Sequence, residues 1–169
     1  MKIVIAVGSL EQGGAERVIA NLSKDLAQKG HSVEILLYYD RKIGYEIDER
    51  VKVTADEAHI GKASIIKHMR FRRSYVKKSG ADVFVSFLAP FNMLNIVTLF
   101  GLKIPLVVAD RNDPRKIPKN PIIRWARNFL YLFADGVVLQ NKRNEEYFSR
   151  AIRKKSKIIY NSMDLGEYE

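Results

Sequence analysis

Apolar positions recur along this chain with two periods, and the two alternate. Short β-branched runs near residues 2–7, 33–38, 51–54, 82–87, 105–109, 136–139 and 157–160 read as strands. Several are apolar throughout, as strands covered on both faces are. Between them lie longer stretches of helical period. From Gly14 to Gln28, the residues Ala15, Val18, Ile19, Leu22 and Leu26 share one face, Lys24, Asp25 and Gln28 fall elsewhere, and Gly30 ends the segment. Asn120 is an N-cap residue with Pro121 at the first helical position, opening a helix that runs to about Ala134. That helix sets Ile122, Trp125, Phe129, Leu132 and Phe133 against Arg124 and Arg127, and its aromatics are expected in the core. A basic helix from Lys62 to Ser79 and a short apolar one from Asn92 to Leu102 complete the series. Strands alternating with helices mark βαβ units, so the pattern predicts a three-layer α/β domain over residues 1–160 with a mostly parallel sheet of about seven strands. Residues 161–169 carry neither period and read as the start of a linker.

Composition narrows the classes. With 169 residues, 47% of them hydrophobic, the chain fills one ordinary core and falls short of two. The absence of cysteine removes disulfides, thiolate metal sites and thiol nucleophiles together. The apolar start, Met1 to Gly8, is too short for a signal peptide, and the apolar stretches are broken by Asn92, Asn95, Lys103, Arg124 and Arg127 before reaching a membrane span. A soluble or peripheral protein is expected. The net charge of +10 predicts an anionic partner, whether nucleic acid, an anionic membrane surface or a phosphorylated small molecule.

The first strand runs into Gly8-Ser9-Leu10-Glu11-Gln12-Gly13-Gly14-Ala15-Glu16-Arg17, where a parallel sheet commonly meets phosphate at a helix N-terminus. Gly8 and Gly13 have the spacing of a Walker A loop. However, the positions that need Lys and Ser or Thr hold Gly14 and Ala15, so the phosphate-gripping lysine is missing. The dinucleotide pattern is absent too, although Asp40 could mimic its ribose-binding acid. The glycines either permit a tight turn and nothing more, or they let the N–H groups of Gly13, Gly14 and Ala15 stabilise an anion beside the helix dipole.

The run Gly13-Gly14-Ala15-Glu16-Arg17-Val18 resembles the opening of the N-terminal domain of family 4 retaining glycosyltransferases, enzymes of the GT-B fold. In the same order, Ala81–Phe87, Pro105–Pro114 and Ile159–Asp164 resemble a central strand, the next strand and its loop, and the passage to the second domain. The resemblance implies a Rossmann-like domain that forms one half of a GT-B fold. That half holds the sugar acceptor, while a C-terminal domain outside this chain holds most of the nucleotide-sugar donor. The chain alone is then expected to be inactive. It also implies that Gly13, Gly14 and Ala15 contact the donor diphosphate as it leaves, electrostatic catalysis without a covalent nucleophile. Candidate acceptor contacts are Glu16, Arg17, Arg111, Asn112 and Asp113. Glu16 could equally cap its helix, Arg17 be merely solvated, and Asp113 close an Asx turn before Pro114. Arg111 stands where many members carry a histidine, which exchanges a titratable ring for a permanent cation and leaves the catalytic residue unassigned. The nucleotide sugar is a substrate; no cofactor is implied.

The helix from Lys62 to Ser79 has seven cations and no acid. Its periodicity puts Ile65, Ile66, Met69 and Val76 on one face and Lys67, Arg70, Lys77 and Lys78 on the other, with Phe71 and Tyr75 between. Four cations at an anionic leaflet give roughly 4 kcal/mol, enough for reversible docking. A solvated face is the bland alternative. Many bacterial members of the resembled family act on polyprenyl-diphosphate-linked acceptors at the cytoplasmic face of the membrane. The same cations could therefore meet lipid headgroups or the acceptor's diphosphate. His31, His59 and His68 lack metal-ligand spacing, and there is no Asp-x-Asp, so no metal is expected. The leading expectation is the acceptor domain of a retaining glycosyltransferase that builds polysaccharide or glycolipid. The alternative is a non-catalytic nucleotide- or nucleic-acid-binding α/β module, disfavoured because the aromatics lack the basic–aromatic alternation of a stacking surface.

Overall fold

The computed structural model describes residues 1–11, 13–38, 43–55 and 65–160. Asp40, His59, the expected first residues of the basic helix and the expected linker at 161–169 lie outside them. Seven strands form one sheet: β1 (Lys2–Val7), β2 (Ser32–Leu37), β3 (Lys52–Ala55), β4 (Val83–Phe87), β5 (Leu106–Asp110), β6 (Gly136–Leu139) and β7 (Ser156–Ile158). The order is β3-β2-β1-β4-β5-β6-β7, every pair parallel. The chain thus winds outward from β1 in one direction and from β4 in the other, leaving a switch point between them.

The crossover helices between parallel strands cover both faces of the sheet. Helix α1 (Gly14–Gln28) covers one face with Ile19 and Ala27 against Ile3, Ile5 and Val7. On the other face, α2 (Ile65–Ser79), α3 (Ala89–Leu99) and α4 (Pro121–Leu130) cover Val4, Ala6, Phe84 and Val108. A single 3₁₀ turn, Tyr131–Phe133, extends α4. Two short helices, α5 (Lys142–Tyr147) and α6 (Arg150–Arg153), precede β7; the sequence pattern showed neither, though Asn141 caps α5 by accepting from the Asn144 N–H at 2.8 Å. Helix α3 starts three residues before the expected Asn92, because Leu88 turns the chain with φ +72.

Two helices sit differently from their sequence pattern. In α2 the buried residues are His68, Arg72 and Val76, while Ile65 and Ile66 are exposed. Arg72 can enter because its guanidinium lies over the Tyr38 ring, 3.7 Å from the centroid, an attraction that offsets part of its desolvation. Phe71 and Tyr75 pack against the core and do not project outward; Lys67, Arg70, Lys77 and Lys78 are exposed as expected. In α4 the inversion is complete. Trp125 is 70% exposed and Ile122, Phe129, Leu132 and Phe133 are exposed with it, whereas Arg127 is 0% exposed. The aromatics expected in the core are on the surface, because the inward position is taken by a guanidinium that a neighbouring loop requires.

Candidate functional site

The carboxyl ends of β1, β4, β5 and β6 open on a cleft of about 310 Å³ beside the switch point. Gly14, Ala15 and Glu16 line it from the start of α1, Leu88 after β4, Arg111 and Asn112 after β5, and Gln140 after β6. Of the candidates read from the sequence, five therefore come together. The first helical bond runs from the Arg17 N–H to the Gly13 carbonyl at 3.0 Å, so the N–H groups of Gly14 and Ala15 precede the helical ladder. A Cβ at Gly14 would meet nothing within 4 Å, leaving its backbone open to close approach. Arg111 is half-buried, and burial lowers its guanidinium below the ordinary value without bringing it near neutrality.

Gly13, Arg17 and Asp113 fall outside this lining. The Gly13 N–H donates to the Tyr45 hydroxyl at 3.0 Å, and that hydroxyl donates back to the Gly13 carbonyl at 2.8 Å. Tyr45 thus clamps the turn from outside, and the Gly13 N–H is engaged before any anion arrives. Glu16 folds back over the turn: a Cβ on Gly13 would overlap its Oε2. Gly13 has φ −176, extended backbone, so glycine here answers to that carboxylate and not to a left-handed conformation. Arg17 lines a separate cavity of about 790 Å³ with Lys24, Tyr45, Asp48 and Arg50, where Asp48 and Arg50 satisfy each other through two bonds of 2.7 and 2.8 Å. Asp113 accepts the Arg115 N–H at 2.9 Å, the Asx turn that the Pro114 context allowed. The exposed cations Lys67, Arg70, Lys77 and Lys78 stand on α2 and are not among the residues that line the cleft.

Beneath the cleft lies a buried polar network that the sequence did not announce. Asp110 ends β5 fully buried, with Arg127 Nη1 3.7 Å from its Oδ2. Tyr131 donates to the same oxygen at 3.1 Å, and Asn92 Nδ2 donates to the Tyr131 hydroxyl at 3.0 Å. Burial raises the Asp110 carboxyl above its ordinary value, while Arg127, the Asn112 N–H and Tyr131 pull it back. Burial and the Asp110 charge together hold the Tyr131 hydroxyl far above its usual range. Arg127 also donates to the carbonyls of Ile117 at 2.6 Å and Pro114 at 2.9 Å, and Asn144 donates to the Asn112 carbonyl at 3.2 Å. The loop carrying Arg111 and Asn112 is therefore held from α4 and α5. Leu88 adds a second sign of constraint: a non-glycine φ of +72 costs about 1–3 kcal/mol and persists only where the surroundings impose it. Among the described residues, no group of three or more His, Asp or Glu could hold a metal ion. No described helix is long and apolar enough to cross a membrane.

Comparison with known proteins places this geometry. The sequence model for Glycosyltransferase Family 4 matches residues 12–167. A relative from Campylobacter jejuni, GalNAc-alpha-(1->4)-GalNAc-alpha-(1->3)-diNAcBac-PP-undecaprenol alpha-1,4-N-acetyl-D-galactosaminyltransferase, is 31% identical over 95% of this chain and 46% of its own length. A second from the same organism, N-acetylgalactosamine-N,N'-diacetylbacillosaminyl-diphospho-undecaprenol 4-alpha-N-acetylgalactosaminyltransferase, is 29% identical over 97% of this chain and 48% of its own. The chain thus spans about half the length of the curated relatives it matches. Among solved structures, sucrose-phosphate synthase from Thermosynechococcus elongatus aligns with a TM-score of 0.74 at 14% identity, covering 98% of this chain and 49% of that one. Anabaena HepE in complex with UDP and glucose aligns with a TM-score of 0.71 at 18% identity, covering 99% and 46%. These likenesses confirm the fold as one half of a GT-B architecture. With the family's sequence model spanning nearly the whole chain, the protein belongs to Glycosyltransferase Family 4.

Proposed function

We propose that this chain is the acceptor-binding domain of a nucleotide-sugar-dependent retaining glycosyltransferase that builds bacterial polysaccharide or glycolipid on a polyprenyl-diphosphate-linked acceptor. The observation that carries the reading is the convergence of Gly14 and Ala15 with Arg111 and Asn112 on one cleft at the carboxyl ends of the strands. Helix N–H groups and a guanidinium on facing sides of a small opening suit a diphosphate that departs while an acceptor approaches. Both Campylobacter relatives are named for undecaprenol-diphosphate-linked acceptors, and one neighbour was solved with UDP, which supports the substrate classes. Donor contacts are then completed by a C-terminal domain, and the protein works peripherally at the cytoplasmic membrane face. Arg111, as a permanent cation, binds phosphate or orients the acceptor and takes no part in proton transfer.

The test is transfer by the full-length enzyme from a panel of UDP-sugars to polyprenyl-diphosphate-linked glycans. Arg111→Ala and Gly14→Val are each expected to lower kcat/KM at least about tenfold, a loss of about 1.4 kcal/mol of transition-state binding. This chain alone should give no turnover. Transfer unchanged by both substitutions would remove the cleft from the reaction. Steep salt-dependent binding to RNA or DNA without transfer would instead favour a nucleic-acid module.

A further inference from the structure

We infer that the outward face of α4 is a docking surface for an anionic phospholipid bilayer. The inference rests on the membrane-side reading of the acceptor given above and specifies where that contact lies.

Ile122, Trp125, Phe129 and Phe133 stand at positions i, i+3, i+7 and i+11, one stripe along α4 and its 3₁₀ turn, and all are exposed. The rings of Trp125, Phe129 and Phe133 form a continuous ladder. Trp125 stacks on Phe129 at 6.1 Å between centroids, Phe129 meets Phe133 at 5.4 Å, and Phe133 meets Phe100, itself 64% exposed, at 5.8 Å. A water-soluble helix turns such a stripe inward and its arginines outward; α4 does the opposite, with Arg127 fully buried. An apolar face of this size in water needs an occupant.

Charge selects which occupant. Apart from the buried Arg127, the chain from Pro114 to Ala134 has four cations and no acid. Lys116 and Lys119 are exposed near the start of α4, Arg124 lies on its first turn, and exposed Lys103 follows Phe100. Asp135 is the acid nearest the far end, and its Oδ2 accepts the Leu106 N–H at 2.7 Å. An aromatic stripe rimmed by cations suits the headgroup–acyl boundary of an anionic leaflet, where tryptophan is favoured. The ladder also extends away from the cleft. Phe100 and Phe133 precede β5 and β6, at the amino ends of the strands, so a domain seated over the carboxyl ends would leave them uncovered.

The chain carries one tryptophan, Trp125, so its emission reports on this face directly. The 169-residue chain is titrated with phosphatidylcholine vesicles with and without phosphatidylglycerol, following co-sedimentation, Trp emission and quenching by brominated acyl chains. Anionic vesicles are expected to blue-shift and quench Trp125, and Phe129→Ser/Phe133→Ser to weaken binding at least about tenfold with the far-UV spectrum unchanged. Ile122→Ser provides a second weakened variant should the double substitution disturb the fold. Co-sedimentation without any change at Trp125, abolished by Gln at Lys67, Arg70, Lys77 and Lys78, overturns the ladder and leaves the membrane reading standing. No binding to any vesicle overturns both. A concentration-dependent dimer that shields Trp125 without lipid assigns the face to a second copy and overturns the inference.

Discussion

Arg127→Met removes the cation on which the cleft-forming loop depends. Methionine retains an apolar stem beside Tyr147 and Phe148, whose ring centroids lie 5.4 and 5.2 Å from the guanidinium carbon, so packing is largely kept. What is lost is charge and hydrogen bonding. Asp110 stays buried without its cation, and the carbonyls of Pro114 and Ile117 lose their donors. Removing one partner of a buried pair costs about 3–5 kcal/mol, and an orphaned carbonyl adds about 1–3 kcal/mol where water cannot reach it. The terms overlap, so the expected loss is about 4 kcal/mol, a large fraction of the roughly 5–15 kcal/mol that holds a domain together. In urea this moves the unfolding midpoint down by about 1–4 M. Asp110→Asn in the Arg127→Met background should recover at least about 1 kcal/mol, because it deletes the stranded charge. A loss below about 1 kcal/mol, or additive single and double variants, would refute the claim that this pair anchors the loop.

Three further outcomes follow from the same geometry. Tyr45→Phe deletes both bonds to Gly13 and should cost about 1 kcal/mol in chemical unfolding, with increased amide exchange at the start of α1; unchanged exchange would mean that the turn holds itself. Gly13→Ala meets only the tip of a flexible Glu16, so its unfolding free energy should stay within about 0.5 kcal/mol of the parent, and a large drop would mean that Glu16 cannot move. Glu34 is buried and so pushed upward, but Lys52, Tyr75 and Thr54 together outweigh this and set its carboxyl below 4.5. A lowered folded value adds stability above the unfolded pKa that is lost as pH falls through the folded one. Glu34→Gln should therefore flatten the fall in stability below pH 4.5, and an unaltered acid limb would contradict it.

Much of the scaffold was legible because its signals are local. Buried parallel strands are written as β-branched runs, and all seven fall within two residues of their expected positions. The bounds of α1 follow from Gly13-Gly14 and Gly30, and Asn120 with Pro121 opens α4 as read, Asn120 Oδ1 accepting from the Ile122 N–H at 2.8 Å. Orientation was not legible. Periodicity shows that α4 has an apolar stripe and an arginine opposite, but not which one faces inward. That depends on carbonyls 10 and 13 residues earlier in the chain, at Ile117 and Pro114. Tyr45 is similarly remote, 32 residues from the turn it clamps. At the cleft, the order of strands brought Gly14, Ala15, Glu16, Arg111 and Asn112 together, and local backbone bonding drew Asp113 away.

The two faces of α4 are best understood together. Its inner face supplies Arg127, which grips the Pro114 and Ile117 carbonyls, while Tyr131 just beyond it reaches Asp110 at the root of the Arg111–Asn112 loop. Its outer face carries the aromatic ladder. A helix that keeps its apolar side in water gains little from its own amphipathicity, so its seat in the domain depends on the polar clasp beneath it. That reverses the usual division in which apolar packing fixes a helix and polar groups face solvent. Under the proposed docking, the clasp would link the lipid surface mechanically to the Arg111–Asn112 loop. The Arg111 loop and the docking face would then be carried by one rigid element.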